Sequence, residues 1–165
     1  IKKFSKEFKR IMKNLASKLM LKENVFVHRD FHISNLMLVK KSIGVIDSQD
    51  ALVGNRAYDL ASLIDDVRLK TSKSFKKKIF NYYLKKQKDT NIQKLKNDFE
   101  ILSILRNLKI IGIFTRLAIR DDKKNYLKLI PYAWKLISMR IDENKEFVDL
   151  KNLLNQKFKK KLNEN

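Results

Sequence analysis

The sequence contains no cysteine, one proline and three glycines. Without cysteine there is no disulfide framework and no thiolate metal site, which fits a reducing compartment. So few glycines and prolines exclude a loop-rich or linker-like chain and predict long helices. Acidic residues are also scarce, at 18 against 38 Lys and Arg, which leaves a formal net charge of +20. Long apolar runs are missing too. The stretch Lys109 to Leu117 is short and broken by Lys, Thr and Arg, so no bilayer span is expected. Ile1-Lys2-Lys3-Phe4 leads into an amphipathic pattern and not an apolar leader, which points to a cytoplasmic protein with no membrane partner. A chain that starts with Ile reads as a fragment or a processed piece.

A hydrophobic content of 44% supplies a core, and 165 residues suit one domain or one lobe of a larger protein. The charge surplus has two readings. One is a polyanionic partner. The other is a Lys-rich composition spread over solvated helix faces, in a chain also rich in Asn and Ile. Basic clusters stand at Lys76-Lys77-Lys78 and Lys157 to Lys161, without the interleaved aromatics of a base-stacking platform. The compositional reading is favoured, and no nucleic-acid partner is expected.

Phe4, Phe8, Ile11, Met12, Leu15 and Leu19 recur at spacings of three and four, which predicts a helix over residues 1–21 ended by Lys22-Glu23-Asn24. Val25-Phe26-Val27 reads as a strand, His28 to Asn35 as a polar loop, and Leu36 to Val39 and Ile43 to Ile46 as strands joined by a turn. Residues 48–57 read as a longer loop. Tyr58 to Ile64 starts a helix, followed by helices at about 73–87, 92–119, 123–141 and 146–161. Pro131 marks a kink or a new first turn, and Leu162 to Asn165 a frayed end.

The loop and its sequel carry the chemistry. Asp30 is followed five positions on by Asn35, and Asp47 closes the next strand pair. Phosphoryl transfer from ATP with magnesium needs one carboxylate for the attacking hydroxyl, and an amide oxygen plus a second carboxylate for the metal. On that reading Asp30 is the base, and Asn35 and Asp47 are the Mg2+ ligands. The bland alternative is a loop satisfying its own backbone. His28 reads as a structural ring under the loop. His32 either contacts substrate or braces the loop. Arg29 either pairs with a carboxylate or projects to solvent, and Gln49 and Asp50 either line the site or merely continue the loop. Asp59 reads as structural, capping its helix and bonding back to the loop. His28 and His32 lack the further ligands of a zinc site.

These residues resemble the aminoglycoside phosphotransferase and choline kinase family, which shares its fold with protein kinases. The likeness rests on His28 to Asn35, on Ile46-Asp47-Ser48-Gln49-Asp50-Ala51, and on Gly54-Asn55-Arg56-Ala57-Tyr58-Asp59-Leu60-Ala61. Ser48 stands where the family usually has an aromatic residue. A narrower likeness extends through Arg106 to Leu117 and Arg120 to Leu127. It is to the bacterial anomeric kinases of N-acetylmuramate and N-acetylglucosamine, which act in cell-wall recycling. The resemblance implies Asp30 as catalytic base, Asn35 and Asp47 as magnesium ligands, and ATP as co-substrate. It covers the C-terminal lobe alone, so the nucleotide lobe is expected from a longer protein.

The expected fold is therefore α+β, mostly α: residues 1–165 as a kinase-like C-terminal lobe with a small β-hairpin carrying the catalytic loop. Ile101, Leu105, Leu108, Ile111, Ile113 and Leu117 are expected in the core. Arg106, Lys109, Arg116 and Arg120 are candidates for contacting an anionic group of the acceptor. Rival readings are an aminoglycoside, choline or homoserine kinase, a non-catalytic lone-lobe interaction module, and a basic nucleic-acid-binding helical protein.

Overall fold

The computed structural model describes residues 2–22, 25–87 and 91–162. The proposed helix stop at Glu23-Asn24 and the end at 163–165 lie outside the described residues. The elements run α1 (Lys2–Ser17), β1 (Val25–Val27), β2 (Leu36–Val39), β3 (Ser42–Val45), β4 (Leu52–Gly54), α2 (Ala57–Ile64), α3 (Lys73–Lys86), α4 (Ile92–Arg120), α5 (Ile130–Glu143) and α6 (Val148–Leu162). The structure is mostly helical, with two small antiparallel ribbons, β1–β4 and β2–β3.

Two compact units divide the chain, one of Leu19–Ser103 and one of Ile1–Lys18 with Ile104–Asn165; α4 runs through both. In the second of these, α6 packs against α1 and α5. Phe147, Leu150, Leu153 and Leu154 are buried there with Ile11, Leu15, Leu136 and Ile137. Phe158, where α6 breaks from helical geometry, meets Phe4 edge-on at 6.1 Å and Trp134 at 5.4 Å. Pro131 sits in the first turn of α5, where its missing N–H costs nothing, so it starts the helix after a 3-10 turn at Lys124–Leu129.

The Leu19–Ser103 unit is built on α2. Ala57, Leu60, Ala61 and Ile64 lie at helical spacing and bury against Leu95, Phe99 and Leu102 of α4. Phe80 of α3 tilts onto Phe99 at 4.9 Å. Ser72 caps α3 by accepting the Phe75 N–H at 3.1 Å. Lys76 of α3 is buried, yet its charge is matched: Nζ lies 2.5 Å from the Ile64 carbonyl at the end of α2 and 3.2 Å from Asp65 Oδ1. Asp98, fully buried, accepts from Met20 N and Leu21 N at 2.8 Å each and from Asn55 Nδ2 at 2.6 Å. It fastens the chain after α1 and the approach to α2 onto α4.

Several expected boundaries move. Strand β3 ends at Val45, because Ile46 already bonds outside the hairpin. The region 48–57 is not all loop: Leu52–Gly54 pairs with β1, Phe26 opposite Val53. Helix α1 stops at Ser17. The polar loop is not carried within a hairpin; it joins β1 of one ribbon to β2 of the other. Of the α4 residues expected in the core, Ile101 is fully buried, while Leu105, Leu108, Ile111, Ile113 and Leu117 are half-buried. Lys109, Arg116 and Arg120 are exposed and Arg106 is buried. Arg120 turns to Asp121 at 2.7 and 2.9 Å, and that hydrogen bond holds the Asp121 carboxyl below its ordinary range. Aromatics do stand among lysines on α3, where Phe75 and Tyr82 flank an open groove of about 590 Å3 with Lys77, Lys78 and Lys85.

Replacing Asp98 by Ala should cost about 3 kcal/mol, because Met20 N, Leu21 N, Asn55 Nδ2 and Asn97 Nδ2 all lose a buried acceptor. Urea unfolding measures it; a loss below about 1 kcal/mol would mean that water satisfies those donors equally well.

Candidate active site

The residues of the polar loop and its sequel, His28 to Asp59, lie in the Leu19–Ser103 unit, whereas Arg106, Lys109, Arg116 and Arg120 belong to the other unit. Strand registers bring the former together. Leu36 pairs with Val45, so the next residues outward, Asn35 and Ile46, also face each other, and Ile46 N donates to the Asn35 carbonyl at 3.0 Å. Asp47 follows directly. On the other ribbon Val27 pairs with Leu52, which sets His28 and Arg29 beside Asp50 and Ala51. The two ribbons are stitched by the His28 ring, whose Nε2 lies 3.0 Å from the Ile46 carbonyl. A carbonyl needs a donor, so Nε2 carries the hydrogen. The ring is buried and meets Phe31 edge-on at 6.1 Å.

The loop itself is held from α2. Asp59 accepts the backbone N–H of His28 at 2.6 Å and of Arg29 at 3.0 Å. Arg29 has φ 71°, a left-handed conformation costing a non-glycine residue on the order of 1 kcal/mol. The paired bonds to Asp59 hold it there. Asp59 does not cap its own helix: the Ala57 N–H goes to Asn55 Oδ1 at 2.9 Å. The Arg29 guanidinium reaches the Asp50 backbone carbonyl at 3.3 Å, not a carboxylate.

Within the loop the Asp30 carbonyl accepts His32 N and Asn35 Nδ2, each at 3.0 Å. Ile33–Asn35 is one 3-10 turn, closed by Asn35 N donating to the His32 carbonyl at 2.9 Å. His32 and Asn35 are buried, Asp30 is half-buried, and Asp47, Gln49 and Asp50 are exposed. Asp47 also has a left-handed backbone, φ 72°, which turns the chain sharply at the end of the hairpin. Neither the Asp30 nor the Asp47 carboxylate has a hydrogen-bond partner among the described residues.

Chemically, Asn35 spends an amide N–H on the Asp30 carbonyl and keeps its amide oxygen as an acceptor; it stands one residue before β2, while Asp47 stands two residues after the paired strand β3. An amide oxygen and a carboxylate are hard donors of the kind magnesium takes, with water and phosphate oxygens completing its shell. Among the described residues no three His, Asp or Glu side chains gather as a metal cluster, so a metal here would need such outside ligands.

Two contributors escaped the sequence reading. One is β4, hidden because three residues with a glycine carry no clear alternation. The other is Asp66, whose Oδ2 accepts Ile33 N at 3.0 Å. Its signal was available: Asp65 and Asp66 sit just past the C-terminus of α2, where the helix dipole disfavours negative charge, so they needed another reason to be acidic.

Asp59→Ala should speed hydrogen exchange at the His28 and Arg29 amides about tenfold or more, with the β2–β3 amides unchanged. Unchanged exchange at His28 and Arg29 would show that something else protects them.

The phosphotransferase enzyme family model matches residues 2–96, which include the loop, Asp47, Asp59 and Asp66. The chain is 37% identical over 123 residues to an N-acetylmuramate/N-acetylglucosamine kinase of Neisseria meningitidis, covering 71% of this chain and 37% of that protein. It is 34% identical over 154 residues to a kinase of the same name from Pseudomonas aeruginosa, covering 89% and 45%. A third, from Caulobacter vibrioides, is 32% identical over 115 residues, covering 67% and 32%. The chain thus spans less than half the length of these relatives, while the family match takes in more than half of the chain and its whole polar loop. On that match, the chain belongs to the phosphotransferase enzyme family.

Proposed function

We propose that residues 1–165 form the catalytic C-terminal lobe of a kinase-like phosphotransferase that moves the γ-phosphate of ATP to an amino-sugar hydroxyl, at the anomeric position. The observation that carries this reading is the convergence of Asp30, Asn35 and Asp47 on two adjoining strand ends and the loop that leads into them, with both carboxylates free of hydrogen-bond partners among the described residues. The relatives' names favour N-acetylmuramate or N-acetylglucosamine as acceptor over choline, homoserine or an aminoglycoside. A net charge of +20 suits anionic reactants.

The Asp30 carboxylate accepts the hydrogen bond of the acceptor hydroxyl and aims its oxygen at the γ-phosphorus. As the new O–P bond forms and the bond to the β-phosphate oxygen breaks, the hydroxyl proton passes to Asp30 and ADP leaves. Asn35 and Asp47 hold Mg2+, which neutralises charge on the phosphates when bound. Arg29, His32, Gln49 and Asp50 border this site as substrate or loop support; His28 and Asp59 keep the loop in shape. Most of the rate gain comes from positioning.

The nucleotide lobe belongs, on this proposal, to sequence outside this chain, consistent with the length of the relatives. The ribbons suit such a neighbour. Phe26 and Val53, a cross-strand pair, are 69% and 68% exposed, and the pair Leu38 and Ile43 82% and 67%. The same surface would serve a non-catalytic interaction module, which turnover separates from an enzyme. No described helix is long and apolar enough to cross a membrane, which is compatible with a cytoplasmic site of action.

The test is turnover of N-acetylmuramate and N-acetylglucosamine by the full-length protein with Mg-ATP. Asp30→Asn should lower kcat by about a thousandfold while the melting temperature stays close to wild type. Turnover at the wild-type rate in Asp30→Asn, or none in the wild type, would overturn the reading.

A further inference from the structure

We infer that Asp66 is a positioning residue for the Asn35 amide, acting through its hydrogen bond to the Ile33 N–H; this rests on the assignment of Asn35 as a metal ligand. The turn Ile33–Asn35 has no cap of its own. His32 stands at its start in extended geometry (φ −137°, ψ 167°), and its side chain does not cap the turn. The cap comes instead from a carboxylate 33 residues downstream, with Asp66 Oδ2 at 3.0 Å from Ile33 N.

That carboxylate is itself clamped. It is 2% exposed, and its other oxygen accepts Arg68 N at 3.0 Å and Arg68 Nη1 at 3.3 Å. From Ile33 the fixing passes along a short rigid path. Leu36 N donates to the Ile33 carbonyl, Asn35 N to the His32 carbonyl, and the Asn35 carbonyl takes the N–H of Ile46, the neighbour of Asp47. The Asn35 side chain is then held by Asp30. Loss of Asp66 removes the acceptor that holds the Ile33 N–H, leaving the bond from His32 N to the Asp30 carbonyl at this end of the turn. Asp59 acts at the opposite end of the loop, on His28 and Arg29, so the two carboxylates are not redundant. A position past the end of α2 is unfavourable for an acidic group, which argues that Asp66 serves the loop and not its helix.

The test uses the full-length protein and Mn2+ as probe, with free and bound ion counted by electron paramagnetic resonance. Asp66→Ala should weaken Mn2+ binding about tenfold, the scale of lost outer-shell support. Asp66→Asn keeps an oxygen for Ile33 and should recover part of that loss; it carries the test by itself if Asp66→Ala fails to fold. The Mg2+ concentration for half-maximal turnover should rise in parallel, and saturating Mg2+ should restore most of kcat. Ser72→Ala, which removes the α3 cap and so lowers stability, should leave Mn2+ affinity unchanged. Wild-type affinity in every folded Asp66 variant would overturn the inference and leave the phosphotransferase reading standing. Failure of the wild type to bind Mn2+ would overturn the metal assignment and the inference with it.

Discussion

Carboxylates from one short helix and the turn after it hold the polar loop of this protein at both ends. Asp59 grips the backbone at His28 and Arg29, and Asp66 grips it at Ile33. The backbone of the loop that carries Asp30 and Asn35 is fixed by that grip. A loop bound through its backbone leaves its side chains free for other work, and Asp30 lies between the two holds. The ribbons on either side are too small to supply such rigidity: β1 and β4 have three residues each. Helix α2 has its own anchorage, in an apolar face against α4 and in Asn55 bonded to the buried Asp98.

Strain and pairing are arranged on the same scale. Arg29 and Asp47 both sit in left-handed backbone, each costing on the order of 1 kcal/mol. Charge-assisted hydrogen bonds such as the Asp59 pair contribute about 1.5–3 kcal/mol each, enough to hold Arg29 in place. Asp47 has no such holder, but its neighbour Ile46 is bonded through both N and O, to Asn35 and His28. Arg29 and Asp47 therefore flank the candidate site and are fixed by hydrogen bonds at or next to them.

Much of this was legible beforehand. The helical periodicity around Leu60 and Ile64, the strands 25–27 and 36–39, and the sequence Asp30 to Asn35 to Asp47 follow from local pattern and chemistry. The link from Asp59 back to the loop followed from its position near the start of α2. Strand β4, the stitch from His28 to Ile46 and the reach of Asp66 to Ile33 are different in kind. Each joins residues far apart in sequence, and spacing along one chain carries no record of such pairings. Boundaries moved for local reasons, as at α5, where Pro131, read as a kink or a new first turn, stands in the first turn of a helix that follows a 3-10 turn, so the helix is shorter than 123–141.

The most direct measurement of the central claim is to locate the metal. Crystals of the full-length protein grown with Mn2+ and a non-hydrolysable ATP analogue would give an anomalous peak for the ion. The account predicts that peak about 2.2 Å from the Asn35 amide oxygen and from an Asp47 carboxylate oxygen, with the remaining ligands from phosphate and water. An ion bound to the nucleotide but in contact with neither residue would contradict it.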